Sequence, residues 1–150
     1  MQEPNLSTRI DSFEALCRSR GLPLTIQRRA VFQAVVERDD HPTADQIFEG
    51  VNERILGISR TTVYRVLDTL LDLRVVRRVG CTGTPIRFDG RTHRHDHVIC
   101  RKCGRVADVE TSDLEPLPLL EEKPQGFQIE EYSVQFIGTC PQCQDSQNDE

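Results

Sequence analysis

The chain contains no Trp, only two Tyr and a single Met, and aromatic side chains make up 5% of its 150 residues. No apolar run exceeds three residues, as at Ala15-Leu16-Cys17, whereas a membrane-crossing helix needs roughly 20. A transmembrane span is therefore excluded. The opening residues carry Glu3 and no apolar stretch, so no secretory leader is expected and the setting is read as cytoplasmic. In that compartment paired cysteines are metal ligands first and disulfides second. What is present is ordinary globular composition, 37% hydrophobic and 29% charged. It leaves room for one average domain or two small ones of about 75 residues each. A split would leave each half little core to spare.

An overall basic excess is also missing. The formal net charge is −5, which argues against nucleic acid as a partner for the surface as a whole. The average hides an asymmetry: residues 1–88 hold 13 Arg against 11 Asp and Glu, and residues 89–150 hold six Lys and Arg against 13 acids. Between 54 and 78 there are six arginines (54, 60, 65, 74, 77 and 78) and only Asp68 and Asp72. A basic stripe on an acidic protein suits one face meeting phosphate, although a solvated helix face gives the same local count.

Helical signals fill the first 75 residues. Ser7 is expected to cap a helix with Ile10, Phe13, Leu16 and Cys17 on one face, stopped by Gly21 and Pro23. Thr25 caps a second, with Ile26, Ala30, Val31, Ala34 and Val35 inward. His41-Pro42 breaks the chain, and Thr43-Ala44-Asp45-Gln46 is a capping box for a third helix with Ile47, Val51 and Ile55 inward, closed by Gly57. Ser59 opens a fourth over residues 60–73, burying Val63, Val66, Leu67, Leu70 and Leu71. Residues 75–79 and 84–88, about the turn Gly80-Cys81-Thr82-Gly83, read as a β-hairpin.

Helices followed by a hairpin are the order of a winged helix-turn-helix. The fourth helix would then be the recognition helix, with Arg60, Thr61, Thr62, Tyr64 and Arg65 near its start as candidate DNA contacts. Small threonines permit close approach, and Val63 and Val66 take the buried face, which turns Tyr64 and Arg65 outward.

The polar stretch Asp89-Gly90-Arg91-Thr92 marks the expected boundary between domains 1–88 and 89–150. Beyond it, residues 97–100 and 104–110 read as strands. Residues 113–122 read as a helix that Pro116 and Pro118 must shorten. Residues 127–139 alternate well enough (Phe127, Ile129, Val134, Phe136) for one or two strands, and the tail from Gln144 is expected to be disordered. A unit of about 60 residues is marginal alone and calls for a metal staple or a partner subunit.

Two constellations carry chemistry. Cys100-Arg101-Lys102-Cys103 and Cys140-Pro141-Gln142-Cys143 each present two thiolates on one side of a turn, and together they suit a tetrahedral four-sulfur Zn²⁺ site. The 36 residues between the two pairs must hold further structure. Redox dithiols are the competing account. Cys17 reads as core and Cys81 as an exposed turn thiol. The second constellation is Asp89, His95, His97 and Asp108, joined at a distance by His41, with His93 and Arg94 crowding the same segment. In a strand, His95 and His97 project to one face. Imidazoles mixed with carboxylates suit Fe²⁺ or Mn²⁺ as well as Zn²⁺, while a solvated polar loop is the bland alternative.

In this order, the residues GLPLTIQR (21–28), HPTAD (41–45), TVYRVL (62–67), RFD (87–89), HDHVICRKCG (95–104) and the final Cys140-x-x-Cys143 resemble the ferric-uptake-regulator family of bacterial metal-dependent repressors. The resemblance spans roughly residues 20–143. It implies an α+β protein: an N-terminal winged helix, then a small α/β dimerisation domain bearing the four-cysteine zinc site. It further implies a homodimer that grips a palindromic double-stranded DNA operator when metal is bound. By the same resemblance, structural zinc falls to Cys100, Cys103, Cys140 and Cys143, and the regulatory metal to His41, Asp89, His95, His97 and Asp108.

Aspartates at 89 and 108 are similar to the peroxide-sensing branch, where bound Fe²⁺ reacts with peroxide and a ligand histidine is oxidised, here His41 or His95. Iron- or zinc-availability sensing on the same fold is the alternative. The sequence departs from some iron-sensing members at Arg94 and Tyr132, where a further site has histidines. That site is not expected here, although Asp96 and Glu115 fit it. Pro23 stands where some members have a basic residue, leaving Arg18 and Arg20 as substitutes. A metalloenzyme, a hydrolase working through a zinc-bound water at His95 and His97, is the remote alternative, since a fifth ligand would close the open position that such chemistry needs.

Overall fold

Asn5, rather than Ser7, starts the first helix. Its side-chain oxygen accepts from the Thr8 amide at 2.9 Å and from the Thr8 hydroxyl at 3.0 Å, so Ser7 falls inside the first turn of α1 (Leu6–Ser19). A cap of this kind contributes about 1 kcal/mol. The end of α1 follows expectation. The Leu22 amide donates to the Cys17 carbonyl at 2.9 Å and the Gly21 amide to Arg18 at 3.1 Å. This closure needs the left-handed backbone that Gly21 adopts at φ +66. The structure, a computed structural model, describes residues 3–91, 93–110 and 124–146. The expected helix over 113–122, with Glu115, Pro116 and Pro118, lies outside the described residues.

Thr25 caps α2 (Ile26–Val36), Thr43 and Gln46 form a reciprocal capping box on α3 (Ala44–Arg54), and Ser59 caps α4 (Arg60–Asp72). Their apolar faces meet α1 in one core that also takes Val76 and Phe88, with Phe13 stacked on Phe32 at 4.2 Å between ring centres. Ile26 departs from its expected inward place and is 76% exposed. It is the first residue of its helix, and its side chain leans back beyond the packed turns.

The chain then forms a short hairpin, β1 (Arg77–Val79) and β2 (Arg87–Asp89), antiparallel with Arg77 opposite Asp89 and Val79 opposite Arg87. Its strands are shorter than the sequence suggests because the Thr84 hydroxyl donates to the Cys81 carbonyl at 2.8 Å, drawing 81–84 into a local turn. Cys81 is accordingly half-buried, not an exposed turn thiol, and packs against Val79, Ile99 and Val106. Cys17 is core, as expected.

A second sheet has β3 (Asp96–Cys100) at its centre, antiparallel to β4 (Val106–Val109) and parallel to β5 (Gln135–Gly138). Of residues 127–139 only 135–138 form a strand, and Phe127 and Ile129 are exposed rather than turned inward. Glu130 and Glu131 lie 4.0 and 3.6 Å from Arg74 and Arg77, so this stretch faces the helical half before it joins the sheet. Gln144 and Asp145, expected in a disordered tail, instead belong to a final helix, α5 (Pro141–Asp145). Among the described residues no helix is long and apolar enough to cross a membrane.

Candidate metal centres

The four cysteines converge. Cys100 ends β3, Cys103 follows three residues on in the turn to β4, Cys140 precedes α5 and Cys143 lies within it. Their sulfurs all lie within 4.8 Å of one another, and those of Cys103 and Cys140 are 3.7 Å apart. A tetrahedron with zinc–sulfur arms of about 2.3 Å has edges of about 3.8 Å, which fits. The Cys103 backbone amide first, and then that of Cys140 at 3.4 Å, lower the Cys100 thiol pKa to about 6. Its sulfur neighbours, Cys140 first, push Cys143 up to about 12. Four sulfurs this close cannot all ionise without a cation among them, and a dication meets that demand.

The second cluster draws its residues from three places in the chain. His41 leads into α3 with a left-handed backbone, φ +53, Asp89 ends β2, His95 and His97 stand at the start of β3, and Asp108 lies opposite His97 on β4. One ligand atom from each falls within a 4.8 Å span. His41 Nε2 is 2.8 Å from Asp108 Oδ1, and Asp89 Oδ2 is shared by His95 Nε2 at 2.7 Å and His97 Nε2 at 3.0 Å. All but Asp108 are buried.

The donor chemistry fits a metal. His95 Nδ1 lies 2.9 Å from the His93 carbonyl, which fixes the ring so that its other nitrogen, Nε2, points into the cluster beside Asp89. Imidazole nitrogens and carboxylate oxygens converging within this span are the donor types of a first-row divalent cation. Burial alone would raise the pKa of Asp89. The hydrogen bond from His97, the Arg91 amide and the nearby imidazoles of His95 and His41 outweigh burial and hold the carboxyl well below the usual range.

Sequence reading missed Arg91, whose amide donates to Asp89 Oδ1 at 2.9 Å while its guanidinium reaches Asp108 Oδ2 at 2.9 Å. It therefore orients both carboxylates. No spacing rule ties Arg91 to Asp108, because the link crosses from the end of β2 to β4. Arg9 was missed too: it donates to the carbonyls of Val36 and Gly90, tying α1 to the segment between the cages and the helices. Where the additional site of some relatives would need histidines, Arg94 stacks on the Tyr132 ring at 3.9 Å and Asp96 accepts from the Val134 amide at 3.3 Å.

The candidate DNA contacts lie in the first half of α4. Thr61, Tyr64 and Arg65 are exposed, Thr62 is half-buried beside the Ser59 hydroxyl, and Arg60 is exposed but pairs with Asp45 at 2.5 Å over the Phe48 ring. The arginine stripe is largely neutralised within the chain. Arg54, Arg60, Arg74, Arg77 and Arg78 each have an acidic partner, whereas Arg65 makes no ion pair among the described residues. Arg18 and Arg20 are exposed at the end of α1.

The family model of the ferric uptake regulators matches residues 19–137. The chain belongs to the ferric uptake regulator family. Members of this family are metal-dependent transcription regulators that bind DNA and form dimers; they are not enzymes. The hydrolase alternative is thereby set aside. The peroxide-responsive repressor PerR of Staphylococcus aureus is 30% identical over 147 residues, 93% of this chain and 99% of its own. In fold the chain is similar to the ferric uptake regulator of Helicobacter pylori (TM-score 0.74, 18% identity, 96% of this chain and 97% of that one). It is also similar to the Campylobacter jejuni peroxide stress regulator (TM-score 0.64, 24% identity, 93% and 100%). These likenesses show the winged helix and the second, sheet-bearing unit.

Proposed function

We propose that this regulator is a cytoplasmic, homodimeric repressor that holds a palindromic DNA operator while metal-loaded and releases it on exposure to peroxide. The observation that carries the reading is the second cluster: five donors, three imidazoles and two aspartates, drawn together from both sides of residue 89. In this reading residues 1–88 form the DNA-binding domain and residues 89–150 the dimerisation domain. Cys100, Cys103, Cys140 and Cys143 hold structural Zn²⁺. His41, Asp89, His95, His97 and Asp108 hold Fe²⁺ or Mn²⁺, and accept Zn²⁺.

His41 belongs to the helical half and the other four donors lie at or beyond its end. A cation shared among them favours the closed arrangement of the two halves, and binding energy thereby becomes a fixed spacing of two recognition helices. Arg60, Thr61, Thr62, Tyr64 and Arg65 then contact the operator. Fe²⁺ bound here supplies reduction of peroxide, with a ligand imidazole as the group oxidised. His41 and His95 are the candidates, and loss of either from the cluster opens it. Support for the peroxide signal comes from the aspartate pair and from likeness to the S. aureus repressor.

Operator binding is measured without oxygen on the Fe²⁺-loaded protein, before and after peroxide, with mass spectrometry of the His41 and His95 peptides. Loss of binding with addition of oxygen to one of those rings is expected. Unchanged affinity with unmodified histidines would instead indicate sensing of metal availability.

A further inference from the structure

We infer that Arg87 is a positioning residue that joins the cysteine turn to the His41 backbone, so that zinc in the four-sulfur cage strengthens metal binding in the imidazole–carboxylate cage. The inference rests on the metal reading of both clusters. Arg87 is a ligand in neither. It sits in β2, two residues before Asp89, and its guanidinium is forked between two carbonyls. Nε donates to Gly104 at 2.8 Å and Nη1 to His41 at 3.1 Å.

Both acceptors belong to backbone that needs holding. His41 occupies the left-handed region at φ +53, sparsely populated by residues other than glycine, where the surrounding structure must fix it. Gly104 closes the turn that starts at Cys100, its amide donating to the Cys100 carbonyl at 2.9 Å with φ +75. A Cβ there would lie 3.1 Å from the Thr84 Cβ and 3.2 Å from the Pro85 Cδ, so the turn abuts the wing closely. Residues 42–43 are pinned to β2 as well, through the Phe88 amide on the Pro42 carbonyl at 2.9 Å and a bridge between Thr43 and Arg87. The guanidinium extends that framework to the zinc turn.

Arginine suits this role by its chemistry. Two divergent carbonyls need a rigid planar fork of donors, whereas a lysine ammonium is a compact point charge. Binding coupled between two sites is also reciprocal. If zinc fixes the turn that Arg87 grips, metal in the His41 cluster must in turn tighten zinc binding by the same factor.

The test uses the full chain with one zinc bound, as wild type, Arg87→Lys and Arg87→Gln. Each protein is titrated with Mn²⁺, and its zinc affinity is measured at equilibrium against a competing chelator with and without Mn²⁺. Both variants are expected to bind Mn²⁺ about tenfold or more weakly, the range typical of residues that orient ligands. Mn²⁺ should tighten zinc binding by wild type and fail to do so in the variants. The inference is overturned if Arg87→Lys binds Mn²⁺ within about twofold of wild type, or if Mn²⁺ leaves wild-type zinc affinity unchanged. The latter measurement stands even where a variant does not fold. Wild type that binds no Mn²⁺ at all would sink the metal reading itself, and this inference with it.

Discussion

Among the described residues, seventeen buried apolar side chains form the core of the helical half, whereas the cluster beneath the second sheet has three, Val79, Ile99 and Val106, one of them lent by the wing. Phe127, Ile129, Phe136 and Ile137 of the second half are exposed. The first region is therefore held by burial. The described part of the second buries little, and ligand bonds and a partner subunit would add to what holds it. The contrast extends to the two clusters of donors: the sulfur cage is built from two short turns, and the imidazole–carboxylate cage reaches from His41 to Asp108.

The largest effect that would sharpen this contrast is loss of the staple. Cys103→Ser should abolish zinc retention and the dimer while much of the helical signal survives, because structural zinc contributes on the order of 10 kcal/mol in small domains. Elemental analysis, circular dichroism and sedimentation check it. Retention of a stable dimer without zinc would break the contrast.

Leu70→Ala reverses the roles. Leu70 is fully buried in the helical core, and truncation should cost about 2–5 kcal/mol. Denaturant titration should show the helices melting first with zinc still bound.

Next comes the link between the halves. His41→Ala should weaken Mn²⁺ binding by roughly 100-fold, about 2.7 kcal/mol, while zinc content and the melting of metal-free protein stay near wild type. Calorimetric titration reads the loss.

The smallest effect is on the DNA side. Arg65→Ala should lower the slope of operator affinity against salt by about one unit without altering stability. Arg60→Ala should change it less, because Arg60 already pairs with Asp45.

Local signals made most of the helical half legible. The caps at Thr25, Thr43 and Ser59 and the apolar faces of α2, α3 and α4 were written in spacings of three and four residues. The start of α1 was misplaced because Asn5 and Ser7 are both competent caps, and only the reach to the Thr8 amide separates them. Strand pairing was harder. The parallel partnership of β5 with β3 joins residues 38 apart in sequence, as at His97 and Gln135, and alternation within a strand carries no information about its neighbour.

The donor residues were legible as types, since His-x-His and Cys-x-x-Cys place side chains together locally. Their support was not. Arg91 and Arg87 act through contacts between distant segments, and the left-handed backbone at His41 has no mark in the residues around it. Cys81 was misjudged for the same reason, since Ile99 and Val106 from β3 and β4 cover it in addition to its own turn.

The central claim is that one cation is shared by donors from both halves. Crystals of Mn²⁺-loaded protein, with the metal located by its anomalous scattering, test it most directly. A single ion bound at once by His41, Asp89, His95, His97 and Asp108 is the predicted result. An ion held by His95 and His97 with the His41 ring turned away from it would contradict the account.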